Sequence, residues 1–155
     1  MLKGIDPLLT PDLLRVLAEM GHGEEIVLAD ANFSAASLAR DALGGKPLLY
    51  LAGAGLLRSC EAVLSLFPLD AAVACPVAYM HVGDRPATYR SALQRAVITH
   101  LAERGYAQPE QCEPMERFAF YDRVRQAHAI VVTGERQPYG NFLFKKGVIA
   151  EPLAD

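Results

Sequence analysis

The sequence predicts an α/β fold: a single compact layered domain, residues 1–155, with a central, largely parallel sheet flanked by helices. Three observations predict it. Helical and strand-like segments alternate from end to end. The run Ile26-Val27-Leu28-Ala29 is apolar enough to be covered on both faces, as a central strand is. Finally, 155 residues with 52% hydrophobic and 21% charged side chains suit one sizeable core and argue against disorder.

Thr10 is the expected N-cap, and Pro11 the first residue, of a helix ending near Met20. Residues 25–29 form the central strand. Residues 31–45, with Asn32, Ser34, Ser37 and the Gly44-Gly45 pair, lack a clear period and read as a long connection, a kind that is often functional. Lys46-Pro47 leads into a second short strand, 48–51. An amphipathic helix over 54–67 carries Leu57, Val63, Leu64 and Phe67 on its apolar side, with Pro68 after its end.

Residues 71–82 read as extended, with Pro76 weakening the run or marking a bulge. The longest helix is expected over 87–103, closed by Gly105. Residues 111–117 stay open between strand and loop. A helix over 118–127 precedes two late strands, 130–132 and 142–144, joined through the polar loop 133–139. Residues 149–155 are expected to be a loose tail. No repeat, low-complexity tract or linker divides the chain.

Charge and cysteine usage exclude several function classes. A net charge of −3 argues against nucleic acid as a partner, because phosphate-binding proteins carry a basic stripe. Arg85, Arg90 and Arg95 read as the solvated face of the long helix. Cys60, Cys75 and Cys112 form no C-x-x-C pair and no zinc pattern, so buried or incidental thiols in a reducing compartment are expected. No apolar run approaches the roughly 20 residues that span a bilayer. The first residues lack a signal peptide's apolar stretch and cleavage site. A cytoplasmic protein with no membrane partner is the expectation.

His22 stands between two glycines, where a helix runs out and the central strand begins. Imidazole is the side chain whose ordinary pKa lies nearest neutrality, so it both gives and takes protons at pH 7. The competing reading is a capped helix followed by a solvated turn residue. Asp30 closes the strand, at the edge where ligands gather in open α/β sheets; its alternative role is an N-cap. His22 and Asp30 are one strand apart in sequence, which suggests opposite ends of that strand. If both serve one pocket, a contact between subunits is an economical way to join them.

Arg117 and Tyr121 are spaced to share one helical face. Phe118 and Phe120 around them read as core packing, whereas Tyr121 keeps a polar tip that needs a partner. The loop 133–141 is the densest set of directional hydrogen-bonding groups in the chain. Within it Asn141 matches a sugar hydroxyl as donor and acceptor, and Gly140 bares neighbouring amides. Pro138 to Asn141 is equally a good β-turn.

Two decoys are weak. Gly53-Ala54-Gly55 opens a helix like a dinucleotide turn, but Arg58 stands where a third glycine belongs and no acidic residue follows at about twenty positions. His81 near Asp84 lacks further ligands at metal spacing, and His100 and His128 read as surface or capping residues. No metal site is expected.

Several segments together resemble the RbsD/FucU family, and its L-fucose mutarotase branch more than its D-ribose pyranase branch. They are Met1-Leu2-Lys3 with Pro7-Leu8-Leu9, Leu13 to His22, Asp30-Ala31-Asn32-Phe33, and Arg117 to Tyr121. Thr133 to Arg136, Tyr139-Gly140-Asn141 and Lys145 to Val148 complete the match, which spans roughly residues 1–148. Residues 34–45, 104–116 and the tail from Ala150 depart from the fucose branch.

The resemblance implies that His22 is the proton donor and that Asp30, Arg117, Tyr139, Gly140 and Asn141 bind substrate. Tyr121 matches a tyrosine next to that site, and Tyr121 or Tyr139 is expected to assist the second proton movement. It also implies rings, commonly decamers, with each pocket at a contact between neighbours.

The expected function is interconversion of the α and β anomers of a free monosaccharide, most readily L-fucose, by acid–base ring opening and closure. Such a reaction moves one proton off the anomeric hydroxyl and one onto the ring oxygen. It transfers no electrons, so no cofactor is expected. The alternatives are a D-ribose pyranase-type activity and a non-catalytic sugar-binding accessory protein of a transport or catabolic system. A nucleotide-binding enzyme using Gly53 and Gly55 ranks below both.

Overall fold

A computed structural model describes residues 2–40 and 44–151. Residues 41–43 of the expected long connection and 152–155 of the expected tail lie outside the described residues. Thr10 caps helix α1 (Pro11–Glu19), its side chain accepting the Leu13 N–H, with Pro11 in the first turn. Strand β1 (Glu25–Ala29) is buried at every position. Helix α2 (Ala35–Arg40) then corrects the expected unstructured connection. Its buried residues, Ala35, Leu38 and Ala39, are too few and too small to print a helical period.

Strand β2 (Leu48–Leu51) and helix α3 (Leu56–Leu64) follow as expected. Strand β3 (Val77–Met80) begins just after Pro76, whose carbonyl accepts the Lys145 N–H at 2.9 Å. Helix α4 (Ala92–Glu103) starts later than the expected residue 87, because Ser91 and Gln94 form a reciprocal capping box. Arg85 and Arg90 therefore sit in the preceding loop, not on a helix face. Residues left open in the sequence become edge strand β4 (Cys112–Met115), where Pro114 is tolerated. Helix α5 (Arg117–Gln126) and strands β5 (Ala129–Thr133) and β6 (Phe142–Lys145) complete the domain.

The six strands run in the order β2-β5-β1-β6-β3-β4. Only β6 opposes its neighbours; the β2·β5, β5·β1 and β3·β4 pairs are parallel. Alternation along β1 sends Ile26 and Leu28 to one face and Val27 and Ala29 to the other. The first face packs with Leu13, Leu56, Val63, Val97 and Leu101 of α1, α3 and α4. The second packs with Leu38, Phe120 and Val124 of α2 and α5. A doubly covered sheet explains why β1 carries almost no polar residue.

Glu25 is the exception. Arg123 of α5 donates to both its carboxylate oxygens, at 2.7–3.1 Å, and reaches Glu113 as well, while Lys145 lies 3.3 Å away. Burial alone would push the Glu25 carboxyl up, but Arg123 and Lys145 outweigh it and hold the group below its ordinary value. That contribution to stability is present above the ordinary glutamate range and is lost as pH falls through the depressed folded value.

Candidate functional site

The topology gives the sheet two chemically distinct edges. At the carboxyl edge, Asp30 follows β1, Met80 ends β3, and Asn141 immediately precedes the reversed strand β6. Asn141 locks this junction: its Oδ1 accepts the Asp30 N–H and its Nδ2 donates to Asp30 Oδ2, both at 3.0 Å. Those two bonds fix which way the amide points. Asp30 Oδ1 accepts the Asn32 N–H at 3.0 Å. Burial raises the Asp30 carboxyl above its usual range, against the pull of N–H donors from Asn32, Asn141 and Gly140.

Replacing Asn141 with alanine would strand the Asp30 N–H and remove a donor from a buried carboxylate. The expected loss of stability is about 1–3 kcal/mol, checked by urea unfolding.

Glu116 caps the start of α5 by accepting the Phe118 and Ala119 N–H groups, which sets Arg117 in the first turn. Arg117 Nε donates to Tyr121 Oη at 3.0 Å, so the two share a face as their spacing predicts. With that oxygen accepting from Arg117, the phenolic proton remains free to be donated elsewhere. Phe33 stands edge-on to Tyr121 at 5.6 Å and to Phe120 at 6.2 Å. Phe120 is core, as expected. Phe118 is not: it is 68% exposed, because residue 118 turns away from the face that Phe120 and Val124 bury.

These residues enclose a cleft of about 210 Å³ lined by Asp30, Asn32, Phe33, Met80, Arg117, Tyr121, Pro138, Tyr139 and Asn141. That is below the roughly 300–1,000 Å³ typical of drug-sized ligands and suits a single small ring. Gly140 lies under the turn, where an added Cβ would meet the Leu93 side chain at 3.0 Å. Asn32, Phe33, Met80 and Pro138 line the cleft although they are not candidate site residues of the sequence. Phe33 falls in a stretch without period, and Met80 in the extended run 71–82.

His22 lies at the opposite edge. Gly23, at φ 83°, turns the chain into β1, and its N–H donates to the Lys146 carbonyl at 2.8 Å. The imidazole side chain is 54% exposed, with Nε2 3.2 Å from Oδ2 of the buried Asp70. Asp70 is held below the usual carboxylate range, first by the Ala72 N–H, with burial opposing and His22 adding to the effect. An anionic Asp70 accepts the Nε2 proton, so proton exchange with a ligand falls to Nδ1. Asp70 is 48 residues from His22, so no local pattern announces the pair.

A five-residue strand puts about 15 Å between the two edges. One chain therefore brings Asp30, Arg117, Tyr121, Tyr139 and Asn141 together and leaves His22 apart. Among the described residues no group of three or more His, Cys, Asp or Glu could hold a metal ion, and no helix is long and apolar enough to cross a membrane. The three cysteines are all free.

Fold and cleft define a doubly covered α/β domain with a polar and aromatic site, sized for one small ring, at the carboxyl edge of its sheet. The chain belongs to the RbsD / FucU transport protein family, whose model matches residues 3–149. A Bos taurus relative named fucose mutarotase is 43% identical over 152 residues, covering 97% of this chain and 95% of that one. FucU from Bifidobacterium longum superposes with a TM-score of 0.86 at 32% identity, covering 96% of this chain and 100% of that one. The fucose mutarotase from Streptococcus pneumoniae, solved in complex with L-fucose, gives 0.82 at 35% identity with the same coverage.

Proposed function

We propose that this protein is a monosaccharide mutarotase that interconverts the α and β anomers of L-fucose. The observation that carries the reading is near-full-length similarity to fucose mutarotases in a chain whose cleft gathers Asp30, Arg117, Tyr121 and Asn141. Arg117, Asp30 and Asn141 grip sugar hydroxyls, and Tyr139 and Gly140 form the turn beneath the ring. Tyr121 or Tyr139 relays the proton of the anomeric hydroxyl, accepting it on a phenolic lone pair while its own O–H proton passes to solvent water. His22 delivers a proton to the ring oxygen and takes it back on closure, its ring oriented by Asp70.

The edge-to-edge separation supports a His22 contributed by a neighbouring copy, and the family resemblance supports a homo-oligomer, a decameric ring with sites at subunit contacts. An apolar hollow of about 530 Å³, lined by Leu2, Leu14, Leu17, Leu66, Pro68 and Ile149, borders Lys146 beside the His22 bend and supports a partner surface there. Three free thiols suit the cytoplasm.

Saturation-transfer NMR on a panel of L-fucose, D-ribose, D-galactose and D-arabinose tests the reading. Exchange between L-fucose anomers should be faster with protein than in buffer, and fastest of the panel. Equal rates with and without protein would overturn it. The family's description as a transport protein favours one second reading, a sugar-binding accessory without turnover. A pure binder would tolerate His22→Gln with its function intact, whereas the mutarotase would not.

A further inference from the structure

We propose that Gln94 is a positioning residue that sets the cleft wall by holding Tyr139 in a left-handed backbone conformation. Its consequence for sugar binding rests on the function proposed above. Gln94 sits in the first turn of α4, outside the cleft lining, and its side chain is wholly buried. Its Oε1 accepts the Ser91 N–H at 3.0 Å. That bond fixes the orientation of the amide and aims the NH2 group the other way. There Nε2 donates to the Met80 carbonyl at 2.8 Å and to the Tyr139 carbonyl at 3.1 Å. Both acceptors belong to residues that line the cleft.

Tyr139 needs such a hold. Its φ of 63° is positive, and among the described residues no other non-glycine shares that sign. A residue with a Cβ adopts this region at a cost and stays there only when its surroundings over-determine it. Gly140 presses the same turn against the start of α4 and against Glu135. The network then continues inward: the Met80 N–H donates to the Asn141 carbonyl at 3.1 Å, and the Asn141 amide holds Asp30. One buried carboxamide thus ties β3, the 139–141 turn and α4 into a single wall. Released, Tyr139 would relax toward negative φ and swing its ring off the cleft.

Two variants separate positioning from simple support. Gln94→Leu keeps the bulk and removes both donors. Gln94→Glu faces two carbonyl oxygens with acceptors when ionised, but offers one O–H when protonated. The measurements are the Tyr139 Cα shift in ¹³C-tyrosine-labelled protein, the dissociation constant for L-fucose, and KM and kcat by NMR exchange.

In Gln94→Leu the Tyr139 signal should leave its left-handed position. The dissociation constant should rise about tenfold, with KM changing more than kcat. In Gln94→Glu, affinity relative to the parent should recover as pH is lowered. A folded Gln94→Leu with an unmoved Tyr139 signal and parental affinity would overturn the proposal. If Gln94→Leu does not fold, Gln94→Glu decides, and a pH-independent affinity ratio overturns it. A parent that neither binds nor converts any sugar of the panel would instead sink the proposed function, and the Tyr139 signal alone would then judge Gln94.

Discussion

Replacing His22 with alanine is expected to reduce catalysed anomer exchange by about 10²–10⁴-fold, the usual contribution of a positioned acid–base group. The fold should survive. The imidazole side chain is 54% exposed, and its Asp70 contact is a single polar bond at the surface of the bend. Gly23 and the Lys146 carbonyl, not the ring, hold the turn. Thermal unfolding of His22→Ala should therefore match the parent while exchange falls toward the buffer rate. Because Asp70 accepts the Nε2 proton, His22→Gln keeps a donor toward Asp70 but has no titrating group to pass a proton on. It should be as inactive as the alanine variant.

The largest effect on stability is expected at the other buried charge. Arg123→Met keeps the length of the side chain but leaves Glu25 buried with only Lys145 nearby. Breaking one side of a buried ion pair costs about 3–5 kcal/mol, and the remaining lysine moves this toward the lower end. The pH dependence has a definite sign. In the parent, Glu25 titrates below its ordinary value when folded, so its contribution fades as pH falls. In the variant, burial dominates and protonation relieves the penalty. The gap in urea midpoint between parent and variant should therefore narrow on acidification. A gap that stays constant or widens would show that the pair does not carry the difference.

The fold was legible where local chemistry and tertiary burial agree. Thr10-Pro11 announces α1, and the unbroken apolar run of β1 announces a strand with helices on both sides. The short helix α2 was illegible because Ala35, Ala36 and Ala39 carry little hydrophobic contrast across its single full turn and a half. The expected start of α4 at residue 87 gives way to Ser91, where Ser91-Ala92-Leu93-Gln94 carries the Ser-x-x-Gln pattern of the capping box that opens the helix.

The candidate site divides similarly. Arg117 and Tyr121 are neighbours through helical spacing, and Asp30 is placed by the rule that ligands gather at carboxyl ends of strands. The Asp30–Asn141 lock joins residues 111 positions apart, and only the reversed insertion of β6 beside β1 makes them adjacent. Gln94 is not among the candidate residues of the sequence, because its role rests on an amide buried against two carbonyls distant in the chain. Phe118 misleads in the opposite direction: an aromatic side chain expected inside stands in solvent, edge-on to Tyr121.

The central claim is that a sugar held at Asp30, Arg117 and Asn141 of one copy is worked on by His22 of the next. Mixing tests it. His22→Ala and Arg117→Ala are each expected to be inactive alone, the second because it loses a hydroxyl grip without disturbing the core. Unfolded together and refolded into mixed assemblies, they should regain a fraction of the parental L-fucose exchange in saturation-transfer NMR, since some interfaces then pair an intact His22 with an intact cleft. Mixed assemblies as inactive as either variant alone would contradict the account.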